Sequence, residues 1–139
     1  MWDAFDLKGP GGLRIEVKSA AYLQAWDQKT NSRIRFDIAP RRPWNQTTGT
    51  FSGTPRRDAS IYVFALFEAT TRELADPLNT SQWSFFICKT SDLDRKFGSQ
   101  RSVGLSAIQG LGIRRLAFND LAPEMKKLEG SADLGPTED

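Results

Sequence analysis

Alternating apolar and polar residues mark the first two predicted strands. Residues 2–7 and residues 13–18 alternate in this way, and residues 8–12, which join them, are rich in glycine and proline. Glycine and proline at this density are typical of the tight connection between two antiparallel strands. The pattern therefore predicts a β-hairpin, followed by a short helix over residues 20–28 that Ser19 caps.

Two kinds of apolar pattern predict three further strands. Residues 32–38 alternate, which predicts a half-buried strand with polar side chains on its exposed face. Residues 59–69 and 82–89 are almost continuously apolar, which is typical of central strands buried on both faces. Residues 40–55 are rich in proline, glycine, threonine and arginine and predict a long loop.

The last third of the chain predicts two helices and a tail. Helical patterns cover residues 91–97 and 117–129, and residues 102–106 are a candidate edge strand. A chain of 139 residues is sized for one domain. We therefore expect a single domain over residues 1–129 and a flexible acidic tail over residues 130–139.

The absence of histidine narrows the chemistry that the chain can perform. Ser-His-Asp and Cys-His catalysis, and zinc, iron or copper sites with histidine ligands, all need an imidazole. What remains is the chemistry of carboxylates, lysine and a hard cation with oxygen ligands, for which Mg²⁺ is the first candidate.

The composition also predicts a cytoplasmic protein. The single cysteine, Cys88, lies in an apolar run, where we expect a small buried hydrophobe, and it excludes a disulfide within the chain. The first residues show no secretory signal, and no apolar run approaches the roughly 18 residues that span a bilayer. We therefore expect no contact with a membrane.

One short motif places an acid and a base on the same strand face. Side chains alternate along Glu16-Val17-Lys18, so Glu16 and Lys18 share a face while Ile15 and Val17 point to the opposite, buried one. Glutamate and lysine are also common at exposed strand positions, so this triplet taken alone favours a solvated surface.

An aspartate of the first strand completes the set, and the register of the hairpin decides which one. A turn centred between residues 10 and 11 puts Asp3 opposite Lys18, whereas a shift by half a residue brings Asp6 opposite Glu16. The sequence leaves both open. These carboxylates suit a divalent ion that binds a phosphate and activates water. Lys18 suits the task of orienting or deprotonating that water, or of offsetting charge in the transition state.

These residues resemble the catalytic hairpin of the PD-(D/E)xK nuclease, or restriction-endonuclease-like, superfamily. The shared pattern is Asp3 or Asp6, a glycine-rich turn and then residues 15–19. The separation of 13 residues between Asp3 and Glu16 is similar to that in the Holliday-junction-resolvase-like members. Gln24 occupies the place of a glutamine that often supports such sites. No proline precedes either aspartate, which departs from the family's pattern.

The resemblance implies a three-layer α/β/α sandwich around a mixed β-sheet, and a Mg²⁺- or Mn²⁺-dependent nuclease acting on DNA. It implies metal binding by Glu16 with Asp3 or Asp6, and catalytic roles for these residues together with Lys18 and Gln24. The family's first helix precedes this hairpin, so a sandwich that lacks this helix is one of our expectations. Many relatives are dimers, which leaves a homodimer open. The alternative function is an inactive DNA-binding or protein-interaction module of the same fold.

Positive charge is concentrated in the middle of the chain. The formal net charge of +2 is too small to indicate a nucleic-acid binder, but residues 29–58 hold seven basic residues against two acidic ones. Five residues of this segment are candidate nucleic-acid contacts: Arg41, Arg42, Trp44, Arg56 and Arg57. A solvated charged loop is the alternative interpretation.

Overall fold

The structure is a computed structural model that describes residues 7–9, 12–23, 33–42, 44–45, 47–51 and 53–129. The strands among these residues are β1 (Leu7–Lys8), β2 (Arg14–Ala21), β3 (Arg35–Asp37), β4 (Trp44–Asn45), β5 (Thr50–Phe51), β6 (Ile61–Phe67), β7 (Trp83–Lys89) and β8 (Ser102–Gly104). The α-helices are α1 (Thr90–Phe97), α2 (Leu105–Gln109) and α3 (Leu121–Glu129), and 3-10 turns cover Thr80–Gln82 and Phe118–Asp120.

Four strands form the central sheet, in the order β1-β2-β6-β7. β1 and β2 are antiparallel, with Leu7 opposite Ile15 and Lys8 opposite Arg14, which confirms the predicted hairpin for these residues. β2 runs parallel to β6, and β6 runs antiparallel to β7. The predicted mixed β-sheet of an α/β protein is therefore confirmed.

Apolar side chains cover both faces of this sheet. All residues of β6 are buried, as the continuous apolar run predicts. Phe64 and Leu66 pack on one face in a cluster that also contains residues of β3, β8, α1 and α2. Ile61 and Val63 pack on the other face, where α3 contributes Met125. Each fully buried side chain of this kind stabilises the fold by roughly 1.5–3 kcal/mol.

The chain after the hairpin differs from its predicted course. β2 continues to Ala21 because Ala20 and Ala21 pair with residues of β6. The predicted helix therefore does not begin at residue 20, and Ser19 lies inside a strand; residues 24–28 lie outside the described residues. β3 confirms part of the strand predicted over residues 32–38, but it pairs with β8 rather than with the central sheet.

The predicted long loop of residues 40–55 contains a β-hairpin. β4 and β5 are antiparallel, with Trp44 opposite Phe51 and Asn45 opposite Thr50. The turn between them includes Gly49, whose φ of +68° lies in the left-handed region that favours glycine. Apolar alternation does not reveal this hairpin, because every residue of the segment whose exposure is described, apart from Pro40, is exposed.

The helices of the last third agree with the pattern except at one place. α1 confirms the helix predicted over residues 91–97, and α3 with its preceding 3-10 turn accounts for the one predicted over residues 117–129. The exception is α2, which begins at Leu105, inside the segment predicted as an edge strand. No helix in the described part of the chain is both long and apolar enough to cross a membrane.

Cys88 is buried in β7, with 1% of its surface exposed. Burial raises the pKa of its thiol to about 12, so the group stays a neutral thiol at physiological pH. This confirms the expectation of a small buried hydrophobe.

Candidate active site

Glu16 and Lys18 lie on the same face of β2, as the alternation predicts. The parallel register places Glu16 beside Tyr62 and Lys18 beside Phe64, on the sheet face that β3 and β8 cover. Ile15 points to the opposite face and is buried, whereas Val17 is 36% exposed. The expectation that Val17 would be buried is therefore wrong.

The two side chains of the motif form an ion pair. Lys18 Nζ lies 3.1 Å from Glu16 Oε2, and the two side chains are 26% and 16% exposed. Partial burial lowers the effective dielectric constant around the pair and strengthens its attraction relative to a fully exposed pair, which contributes about 0–1 kcal/mol. The pair therefore lies at the rim of the core and not on open surface.

Tyr62 of β6 is the neighbour of Glu16 in the sheet. Burial raises the pKa of its phenol to about 12, and the negative charge of Glu16 adds to this shift. The phenol consequently stays protonated throughout the physiological range. A protonated phenol at this position can donate a hydrogen bond to an oxygen atom bound next to Glu16.

Asp37, at the end of β3, lies close to this group of residues. Its carboxylate accepts hydrogen bonds from the Ala39 backbone N–H at 2.9 Å and from Arg41 at 2.8 Å. Burial alone would raise the pKa of Asp37, but the Ala39 hydrogen bond and the charges of Arg41 and Lys18 outweigh it and lower the pKa. Asp37 is thus an ionised carboxylate that feels the charge of Lys18.

Sequence reasoning identified neither Tyr62 nor Asp37 as part of the site. Tyr62 lies within a continuous apolar run, which gives no sign of a polar role. Asp37 appears only as one polar position of an alternating strand. The pairing of β2 with β6, and the approach of β3, bring them to Glu16, and neither relationship follows from local sequence.

Of the predicted catalytic set, the structure describes Glu16 and Lys18. The other three members lie outside the described residues: Asp3, Asp6 and Gln24. Within the described residues, no group of three or more acidic or cysteine side chains is arranged to hold a metal ion. Among the described residues of this hairpin, Leu7 lies opposite Ile15 and Lys8 opposite Arg14. The oxygen donors of Glu16 suit a hard cation such as Mg²⁺.

Two of the candidate nucleic-acid contacts lie opposite each other where the β4–β5 hairpin begins. Arg41 and Arg56 form an antiparallel bridge, and their side chains are 63% and 64% exposed. Arg41 pairs with Asp37, and Arg56 pairs with Asp58. Arg42 is also exposed, and the side chain of Trp44 lies outside what the structure describes.

Arg57 requires a correction, because its guanidinium is not on the surface. The side chain is 1% exposed and binds Asp94 of α1 at 2.6 Å. It also donates to the backbone oxygens of Ile38, at 2.7 Å, and Gln100, at 3.0 Å. These partners tie the guanidinium into the protein interior, so Arg57 is a structural residue and not a phosphate contact.

Comparison of the chain with protein-family models, with curated proteins and with solved structures gave no significant match. The resemblance to the PD-(D/E)xK superfamily therefore stays a prediction that rests on the hairpin motif.

Proposed function

We propose that this chain is a divalent-metal-dependent nuclease that hydrolyses phosphodiester bonds of DNA, on a restriction-endonuclease-like α/β/α fold. The observation that carries the proposal is the pairing of Glu16 with Lys18, 3.1 Å apart and partly buried on one face of β2. Metal-assisted hydrolysis needs a carboxylate to hold a cation and a positive group to face an oxyanion. These two side chains supply both requirements next to each other.

Mg²⁺ or Mn²⁺ is the proposed cofactor, held by Glu16 and one aspartate of the hairpin. We favour Asp6 over Asp3 because of the strand register. Leu7 lies opposite Ile15, and the same register continued by one residue would bring Asp6 opposite Glu16. The ion supplies Lewis-acid stabilisation of the negative charge on the scissile phosphate. Gln24 keeps its proposed supporting role.

Lys18 has a different task before and after the ion binds. In the free protein its ammonium neutralises Glu16 through Oε2, so a cation at Glu16 competes with Lys18 for this oxygen. An ammonium released from that contact is available to orient the attacking water and to offset charge on the phosphate. Groups that act in this way typically contribute about 10²–10⁴-fold in rate.

A DNA-binding module without hydrolysis is the second candidate. The exposed Arg41 and Arg56 suit phosphate binding in either case. For both candidates we propose a cytoplasmic location, on the ground of the single buried cysteine.

Single-turnover cleavage of a labelled DNA duplex, with Mg²⁺ or with EDTA, separates the two candidates. The nuclease proposal expects cleavage that needs the ion and that is lost in Glu16→Gln, which keeps the size of the side chain but removes its charge. Binding of the duplex without cleavage in Mg²⁺ and in Mn²⁺ would select the binding module instead.

A further inference from the structure

Residues 41–56 form a two-stranded ribbon, which we call the arm. At its base the backbone N–H of Arg41 donates to Arg56 O at 3.0 Å, and that of Arg56 donates to Arg41 O at 2.9 Å. Further out, β4 pairs with β5, and these two strands form a sheet of their own. These pairings make the arm a single structural element.

The described side chains of the arm lie at the surface. Its residues whose exposure is described, 41–42, 47–50 and 53–56, are all exposed. Exposure at these positions leaves their polar side chains available to a partner, which points to a role at the surface.

The charge of the arm is entirely positive. Residues 41–56 include three arginines and no acidic residue, and the other polar positions of the arm are threonine, asparagine, glutamine or serine. The acidic partners of Arg41 and Arg56 lie outside the arm, at Asp37 and Asp58. The pair of Arg41 with Asp37 is exposed on both sides and so contributes only about 0–1 kcal/mol, which lets a phosphate replace this carboxylate.

We propose that the arm inserts into the major groove of B-form duplex DNA, with Arg41, Arg42 and Arg56 on the flanking phosphates. The inference rests on the nucleic-acid partner of the proposed function but not on hydrolysis. The major groove, about 12 Å wide, admits a two-stranded β-ribbon, whose strands are about 4.8 Å apart. Threonine and amide side chains then face base edges and phosphates as neutral donors and acceptors.

The shape of the arm favours a duplex over a single strand. Proteins that hold single strands without sequence preference use a positively charged groove that follows the backbone. The arm is a two-stranded ribbon and not a groove, and a ribbon suits entry into a groove of its partner. Its base also lies next to the candidate active site, because Arg41 binds Asp37 and Asp37 feels the charge of Lys18.

The test compares a labelled B-form DNA duplex with an A-form RNA duplex of the same sequence, in EDTA at physiological salt, by fluorescence anisotropy. The major groove of A-form RNA is deep and narrow and excludes side chains and ribbons. We therefore expect the wild type to bind the DNA duplex at least about tenfold more tightly than the RNA duplex.

Two variants and one control show whether the arm causes this preference. In one variant an Asn-Gly turn replaces residues 43–54, which keeps the Arg41–Arg56 base. The other is Thr48→Glu with Thr50→Glu at the exposed tip, where no core packing is disturbed. The control, Thr70→Glu with Thr71→Glu, adds the same charge at exposed positions outside the arm. Both arm variants should lose at least about tenfold in DNA affinity and lose the preference, and the control should keep both.

Equal binding of the two duplexes by the wild type, or tip variants that bind DNA as the wild type does, would overturn the inference. A wild type that binds no DNA would overturn it as well. Arm-dependent binding without cleavage in Mg²⁺ would overturn only the proposed hydrolysis.

Discussion

Glu16 of β2 lies beside Tyr62 of β6, and this pairing places a carboxylate and a protonated phenol next to each other on one face of the sheet. The pairing also fixes where Lys18 lies, because the next residue of β2 on the same face follows two positions later.

Glu16→Gln should remove the stabilisation that a divalent ion gives to the protein. Binding to the folded state alone raises stability by about 2.7 kcal/mol at a ligand concentration of 100 times Kd. We expect Mg²⁺ or Mn²⁺ to raise the Tm of the wild type and not that of the variant, as measured by differential scanning calorimetry. Glu73→Gln, at an exposed loop position, is the matched control and should keep the shift. An equal shift in Glu16→Gln would remove Glu16 from the metal site.

Lys18→Ala should separate metal binding from catalysis. Loss of the ammonium leaves the affinity of Glu16 for a cation unchanged or raises it, because a competing positive charge is removed. Cleavage in a single turnover should fall by about 10²–10⁴-fold, equivalent to about 3–5 kcal/mol. Lys96→Ala, an exposed change on α1, should cleave as the wild type does. Equal rates for wild type and Lys18→Ala would contradict the catalytic role, with circular dichroism to establish that both are folded.

Tyr62 should make the protein sensitive to alkaline pH. Its folded pKa of about 12 lies above the ordinary value of 10.0, so its contribution is complete below pH 10 and is lost as the pH rises to 12. The shift corresponds to about 3 kcal/mol at 1.36 kcal/mol per pKa unit. Urea unfolding from pH 9 to pH 12 should therefore show a steeper loss of stability for the wild type than for Tyr62→Phe. Parallel curves for the two proteins would show that the phenol ionises as freely in the folded state as in the unfolded one.

The exposed arginines of the arm should control the salt dependence of DNA binding. Each phosphate contact that is lost reduces the slope of log K against log salt by about one unit. The triple variant of Arg41, Arg42 and Arg56 to alanine should therefore bind more weakly and with a slope up to about three units smaller. Arg72→Ala with Arg95→Ala, at exposed positions outside the arm, should change the slope less. An unchanged slope in the triple variant would assign these arginines to a solvated surface.

Arg57 should behave as a stability residue, in contrast to its neighbour Arg56. Arg57→Ala leaves the carbonyl oxygens of Ile38 and Gln100 without their donor. A buried acceptor left unsatisfied destabilises by about 1–3 kcal/mol, which guanidinium denaturation measures directly. Arg56→Ala, which removes an exposed side chain, should change the free energy of unfolding by less than about 1 kcal/mol. A smaller loss for Arg57→Ala than for Arg56→Ala would contradict the structural role.

The sequence predicts the central sheet well, because β6 and β7 are apolar on both faces and such runs have few other uses. It also places Glu16 and Lys18 on one face, since alternation in a strand is a local property. It does not reveal which distant residues surround them, and the roles of Tyr62 and Asp37 therefore emerge only from strand pairing. The sequence also does not show that the Arg56 side chain is exposed and the Arg57 side chain buried. The two arginines are adjacent and chemically identical, and the burial of Arg57 depends on distant partners such as Asp94 of α1.

The parallel pairing of β2 with β6 also has a consequence for the order of events during synthesis. Each pair joins residues 46 positions apart, as in Ile15 with Ile61. Contacts so distant in sequence form slowly, because the intervening chain must be closed into a loop before the pairing gives any stabilisation. Glu16 and Lys18 consequently meet Tyr62 and Phe64 only after β6 has emerged from the ribosomal exit tunnel, so a nascent chain that carries only the hairpin lacks the strand that completes the candidate site.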